Sequence, residues 1–201
     1  MTKNLLSSAL LAGVAAGLIA ALLQFSFVIP HLMEGELYET GERIHFATDG
    51  STQSDRAQPA LGGDFARHGM TIAFNMVTYT GYGLILLALM IFAHEKGHTL
   101  TPRTGLIWGV AGFIAVQLAP GIGQPPVLPG AIGSEVGPRQ AWWALTIICT
   151  AIALALITFG KGWMALLSVP LLLTPHIIGA PYLDTYYGVA PPELAARFAA
   201  L

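Results

Sequence analysis

The sequence predicts an all-α polytopic membrane protein with about five transmembrane helices and one acidic extramembrane loop. Three observations carry that prediction. Of 201 residues, 54% are hydrophobic and 10% are charged, where a soluble domain carries about 25% charged residues. The mean hydropathy is +0.64. Apolar runs of span length recur along the chain, and short polar segments separate them. A net charge of -2 and a pI near 6.3 leave no basic surface of the kind that releases counterions from nucleic acid, which excludes a nucleic-acid partner. Cys149 is the only cysteine, so the chain can form neither an internal disulfide nor a thiolate metal site.

A single membrane domain over residues 1–201 is expected, with spans near 4–30, 70–93, 104–120, 140–160 and 162–180. Lys3 precedes the first span, which ends at Pro30. A cleaved secretory signal is the competing reading there, but the apolar core exceeds the 7–15 residues of such a signal and no A-x-A-like site with a polar start follows. Gly13 and Gly17 form a G-x-x-x-G step that allows close approach of another helix. Residues 31–69 make the extramembrane loop, which holds seven carboxylates against Arg43, Arg56 and Arg67. Its first third can continue as helix. From Asp49 onward it lacks periodic apolar residues and reads as mobile.

The second span contains Asn75, a side-chain amide that in lipid faces protein or a wet cavity. It either cross-links two helices or lines a path. His94 and His98 follow at a four-residue spacing that suits a metal on a helix, but Gly97 and Pro102 weaken that geometry. The third span holds Gln117 and runs into LAPGIGQPPVLPG, residues 118–130. Five Pro or Gly residues in the first nine positions, beginning at Pro120, forbid a continuing helix. An uncharged broken segment of this kind is either a re-entrant, cavity-lining loop or a plain surface loop. Arg139, Gln140, Trp142 and Trp143 open the fourth span, with the indoles suited to the interface. A tight hairpin at Lys161 leads to the fifth, which Pro170 and Pro175 kink, with His176 directly after. Pro191 and Pro192 start a short amphipathic helix at 191–200.

If five spans alternate, Lys3, Lys96, Arg103 and Lys161 share one side, which is then cytoplasmic. The N-terminus is expected inside, and the C-terminus and the 31–69 loop outside. The ends of spans one, three and five meet at the outer face. There Glu36 and Glu39 would capture a cation with His176 as an imidazole ligand, assisted by His31 and Glu34. Gln24, Asn75, Gln117, Pro120, Arg139 and Pro175 would be structural or line the pathway, with Arg139 better suited to pairing with a carboxylate than to facing a cation. Imidazole with carboxylates suits borderline divalent ions such as cobalt, nickel, zinc or iron, and a negative vestibule concentrates them. The acidic residues read equally as a solvated collar, and His176 as an interfacial histidine bonded to backbone. No H-E-x-x-H, no G-x-S-x-G and no paired intramembrane carboxylates occur, so the expectation is that the chain is not an enzyme.

The chain also resembles the CbtA-type cobalt transporter subunits. The shared residues are Gln24, Pro30, and the E-x-Y-E run of Glu36, Tyr38 and Glu39. Further matches are LAPGIGQPPVLPG at 118–130, RQAWW at 139–143, PHIIGAP at 175–181 and the PPELAARFAA tail. They cover nearly all of the chain except residues from about 40 to 67. His31 departs, since an aliphatic residue is more usual after that proline, as does Val127, where an acidic residue is common. The resemblance implies cobalt uptake linked to cobalamin, with Co2+ as cargo, no firmly bound cofactor, and a small CbtB-type partner carrying a histidine-rich end. Glu36, Glu39, Arg139 and His176 sit on its motif positions. A homo-oligomer is compatible with it. The alternative is a non-transporting membrane scaffold or metal-sensing accessory subunit, in which G-x-x-x-G and the kinked last span serve assembly.

Overall fold

The computed structural model describes residues 2–45, 59–183 and 185–201. Residues 46–58, most of the segment expected to be mobile, lie outside the described residues. The apolar runs are helical, as hydrocarbon requires: each backbone N–H and C=O must find its partner within the segment. Among the described residues four helices are long and apolar enough to cross a membrane, Lys3–Glu39, Phe65–Glu95, Pro102–Gly123 and Val136–Phe159. A shorter apolar helical stretch, Gly162–Ile178, follows them. The chain divides into two compact units, one reaching to Gly105 and the other running from Leu106 to Ala200.

In the first unit, α1 (Thr2–Leu23), a π-helical turn (Gln24–Val28) and α2 (Ile29–Glu39) follow one another without interruption. The expected helix end at Pro30 is therefore corrected. Proline breaks a helix because it lacks an N–H and its ring crowds the carbonyl four residues back. Here the wider turn comes just before it, with the Ile29 N–H bonded to the Gln24 carbonyl five residues back, and Pro30 falls in the tolerant first turn of α2. The helix stops instead at Gly41, whose φ of 80° is the left-handed terminator. The Arg43 N–H closes back on the Leu37 carbonyl at 2.8 Å.

Helix α3 (Phe65–Glu95) starts at Asp64, whose carboxylate accepts from the Arg67 backbone N–H at 2.9 Å. It packs tightly on α1. A Cβ placed on Gly13 would lie 2.5 Å from the Thr80 Cα, and one on Gly17 would lie 2.5 Å from the Met76 Cα. The G-x-x-x-G step is thus used within the chain, where bare backbone on α1 lets the two helices touch.

In the second unit the same device recurs. Helix α4 (Pro102–Phe113) passes through a π-helical turn (Ile114–Leu118) into α5 (Ala119–Gly123), and Pro120 again lies two residues beyond the wide turn. The expectation that the Pro–Gly run forbids a continuing helix is corrected over these five residues; the break comes at Gln124. Beyond it, β1 (Ala131–Ile132) pairs antiparallel with β2 (Tyr187–Gly188), Ala131 opposite Gly188 and Ile132 opposite Tyr187. Helix α6 (Val136–Phe159) buries a stripe of Trp142, Thr146, Cys149, Thr150 and Ala153, the spacing of a single helix face, and packs against α7 (Ser168–Ile178). A 3-10 stretch (Gly162–Leu167) precedes α7. Helix α8 (Pro192–Ala199) buries Leu194 and Phe198, one turn apart, and leaves its polar face outward.

Candidate functional site

The first unit holds most of the expected ligands, and the fold separates them. Because α2 is a helix, residues three apart share a side while residues two apart do not. Glu34 is fully buried on the side that also buries Tyr38. Glu36 points elsewhere and is gripped by Arg67: Nη1 donates to Oε2 at 2.7 Å, and Nη2 donates to Oε1. Glu39 is exposed. The His31 ring bonds through Nδ1 to the Phe27 carbonyl at 2.8 Å, one turn back in the widened segment. Among the described residues no group of three or more His, Cys, Asp or Glu side chains converges.

One expected polar pair does come together. The Asn75 amide nitrogen donates to Gln24 Oε1 at 2.6 Å and to the Thr71 carbonyl at 2.9 Å. Gln24 opens the π-helical turn and Asn75 sits in the third turn of α3, so the bond ties the two helices of the unit at an irregular point. Both residues line a cleft of about 580 Å³ together with Arg67, Thr71 and Thr78. His68 Nε2 approaches the Leu61 carbonyl at 3.1 Å, and its ring meets Phe25 edge-on at 5.4 Å.

The second unit is organised on Trp142. Its indole N–H donates to the Pro175 carbonyl at 2.8 Å, and its ring lies edge-on to His176 at 5.8 Å. The same indole covers Gly123 so closely that a Cβ there would overlap it. The ends of α5 and α7 and the start of α6 are thereby held together. His176 is half-buried, and among the described residues its ring makes no hydrogen bond, so both nitrogens stay available. Pro120 and Pro175 are buried, while Gln117 is exposed. The Gln124 amide donates to the Arg139 carbonyl at 3.1 Å, and the Arg139 guanidinium lies against Gly133. His94 and His98 do not form a helical metal pair: α3 ends at Glu95, and the His94 ring bonds the His98 carbonyl at 2.9 Å.

Arg67, Trp142 and Gln124 are the residues whose roles sequence reasoning missed. Arg67 stood out only as one of three cations in an acidic loop, and nothing in spacing links it to a carboxylate 31 positions earlier.

Apolar helices of span length, with polar groups at their irregular turns and ends, define an integral membrane protein of the multi-pass helical class. The chain belongs to the CbtA family: the family described as "Probable cobalt transporter subunit (CbtA)" matches residues 2–201. No curated protein and no solved structure gives a match.

Proposed function

We propose that this chain is the membrane subunit through which a divalent transition metal, cobalt for cobalamin synthesis, is taken up across a bacterial inner membrane. Five spans, the last built on Gly162–Ile178, place the N-terminus in the cytoplasm and the 31–69 loop and C-terminus outside. Glu36 and Glu39, in the first unit, act as capturing carboxylates with His31 and Glu34 as auxiliary groups, and His176, in the second unit, acts as an imidazole ligand. Gln24, Asn75, Gln117 and Pro120 line the path, and Arg139 and Pro175 shape its outer end. A small CbtB-type membrane subunit is the expected partner.

The observation that carries this reading is the unbroken helix from the first apolar run through Glu39. It holds acidic groups rigidly at the end of a span, where a cation leaving water would meet them. The available nitrogens of His176 beside Trp142 supply an imidazole donor of the type borderline ions prefer. The accessory-scaffold reading loses one support, because the G-x-x-x-G step is already occupied by α3.

Alanine at Glu36, Glu39 and His176 together should abolish cobalt-dependent cobalamin synthesis under metal limitation. Normal synthesis, with the variant present in the membrane at wild-type level, would overturn the assignment. Reconstitution separates uptake from an accessory role: cobalt flux with this chain alone supports transport, and flux only with another subunit supports the latter.

A further inference from the structure

Four polar side chains of α3 share one side of the helix. Arg67, Thr71, Asn75 and Thr78 follow at helical spacing along one side and, with Gln24 from the facing π-helical turn, line a single cleft of about 580 Å³. Thr71 Oγ1 donates to the Arg67 carbonyl at 3.0 Å, and Asn75 donates to the Thr71 carbonyl. Each side chain is thus tied to the helix backbone one turn back. Both Asn75 bonds use the amide nitrogen, so its Oδ1 makes none among the described residues. Met70 and Phe74 complete the lining, so the cleft is largely apolar with hydroxyl and amide oxygens along one side, and its one full charge is the Arg67 guanidinium at the start of α3.

That guanidinium is held by both oxygens of Glu36. Its side chain is 41% exposed and that of Glu36 is 35% exposed, so the pair contributes at most about 1 kcal/mol to stability. A two-pronged grip occupies the carboxylate fully all the same. A metal ion cannot use Glu36 as a ligand while Arg67 holds it.

We infer that Arg67 is a resident cation on Glu36 beside the cleft, and that a divalent ion binds by displacing the guanidinium from Glu36. This rests on the uptake reading above. Before the exchange one positive charge neutralises Glu36. After it the divalent ion takes that carboxylate, and its second charge must be balanced by another donor. Asp64, which caps the same first turn of α3, is the carboxylate next along the chain to a released Arg67. The exchange favours ions with two charges over monovalent ones, because a monovalent ion offers Glu36 no more charge than the guanidinium it would displace.

Initial cobalt uptake by cells carrying the full chain and its partner, measured against Co2+ concentration, tests this for Arg67→Gln, Arg67→Lys and Glu36→Gln. Arg67→Gln should lower the half-saturating concentration by up to about fivefold, the equivalent of ~1 kcal/mol, and Glu36→Gln should raise it. Arg67→Lys keeps the charge and loses the two-pronged grip, so its value should fall between Arg67→Gln and wild type. A lysine variant equal to wild type, or a glutamine variant with unchanged or weaker saturation, overturns the proposal. Thermal stabilisation of the purified chain by Co2+ gives a readout independent of flux. Greater stabilisation of Arg67→Gln than of wild type supports the exchange even if no flux is seen, in which case the uptake reading alone fails. Equal stabilisation of the two overturns the exchange.

Discussion

The indole N–H of Trp142 donates to the carbonyl of Pro175, and this bond of 2.8 Å ties the last turn of α7 to α6. Pro175 lies inside α7 and provides no N–H of its own. Its carbonyl accepts from both the indole and the Gly179 N–H, and Gly179 then ends the helix with φ of 83°. His176, the next residue, is placed by that junction.

Trp142→Phe keeps most of the buried area and removes the indole donor. Because the Pro175 carbonyl retains Gly179, the expected cost is about 1 kcal/mol. Thermal unfolding of the purified protein measures it. Uptake should fall as well if His176 is a ligand, since its ring rests against the indole.

The α1–α3 contact predicts a contrast between glycines. Gly17→Ala would place a Cβ against the backbone of Met76, and backbone cannot turn aside as a side chain can. Destabilisation by about 1–3 kcal/mol is expected. Gly81→Ala, with nothing within 4 Å of the added atom, should be neutral or stabilise the helix by about 0.5–1 kcal/mol. Equal effects in denaturation would show that the close approach is absent.

The amide bond between Asn75 and Gln24 should appear as coupling. In a double-mutant cycle with alanine at each position, an interaction of about 0.6 kcal/mol, and no more than ~1.7, is expected for a bond of this kind in a membrane protein. Strict additivity would mean that the bond contributes nothing.

Gly41→Ala tests the end of α2. No atom lies near the missing Cβ, so the whole effect comes from the left-handed backbone, at about 1–2 kcal/mol. Hydrogen exchange should quicken over the last turn of α2, where Glu36 and Glu39 reside. Gly63→Ala, equally open and without a positive φ, is the matched control and should leave exchange unchanged.

The order of residues alone specifies a helical membrane protein and roughly where the helices lie. Hydrophobic run length is a local quantity, and an apolar run of span length finds its low-energy setting only as a helix in lipid. It also marked Gln24, Asn75, Pro120, Pro175 and the Trp142 segment as positions out of keeping with a plain apolar helix. The packed fold alone settles how proline is absorbed at Pro30 and Pro120, because a wide turn depends on bonds five residues apart that composition does not reveal. Only it decided that Glu36 answers to Arg67, that Glu34 is buried, and that Trp142 holds Pro175. Such pairings depend on how one helix crosses another; for Glu36 and Arg67 the helices meet through backbone contact at Gly13 and Gly17, far from the charges brought together.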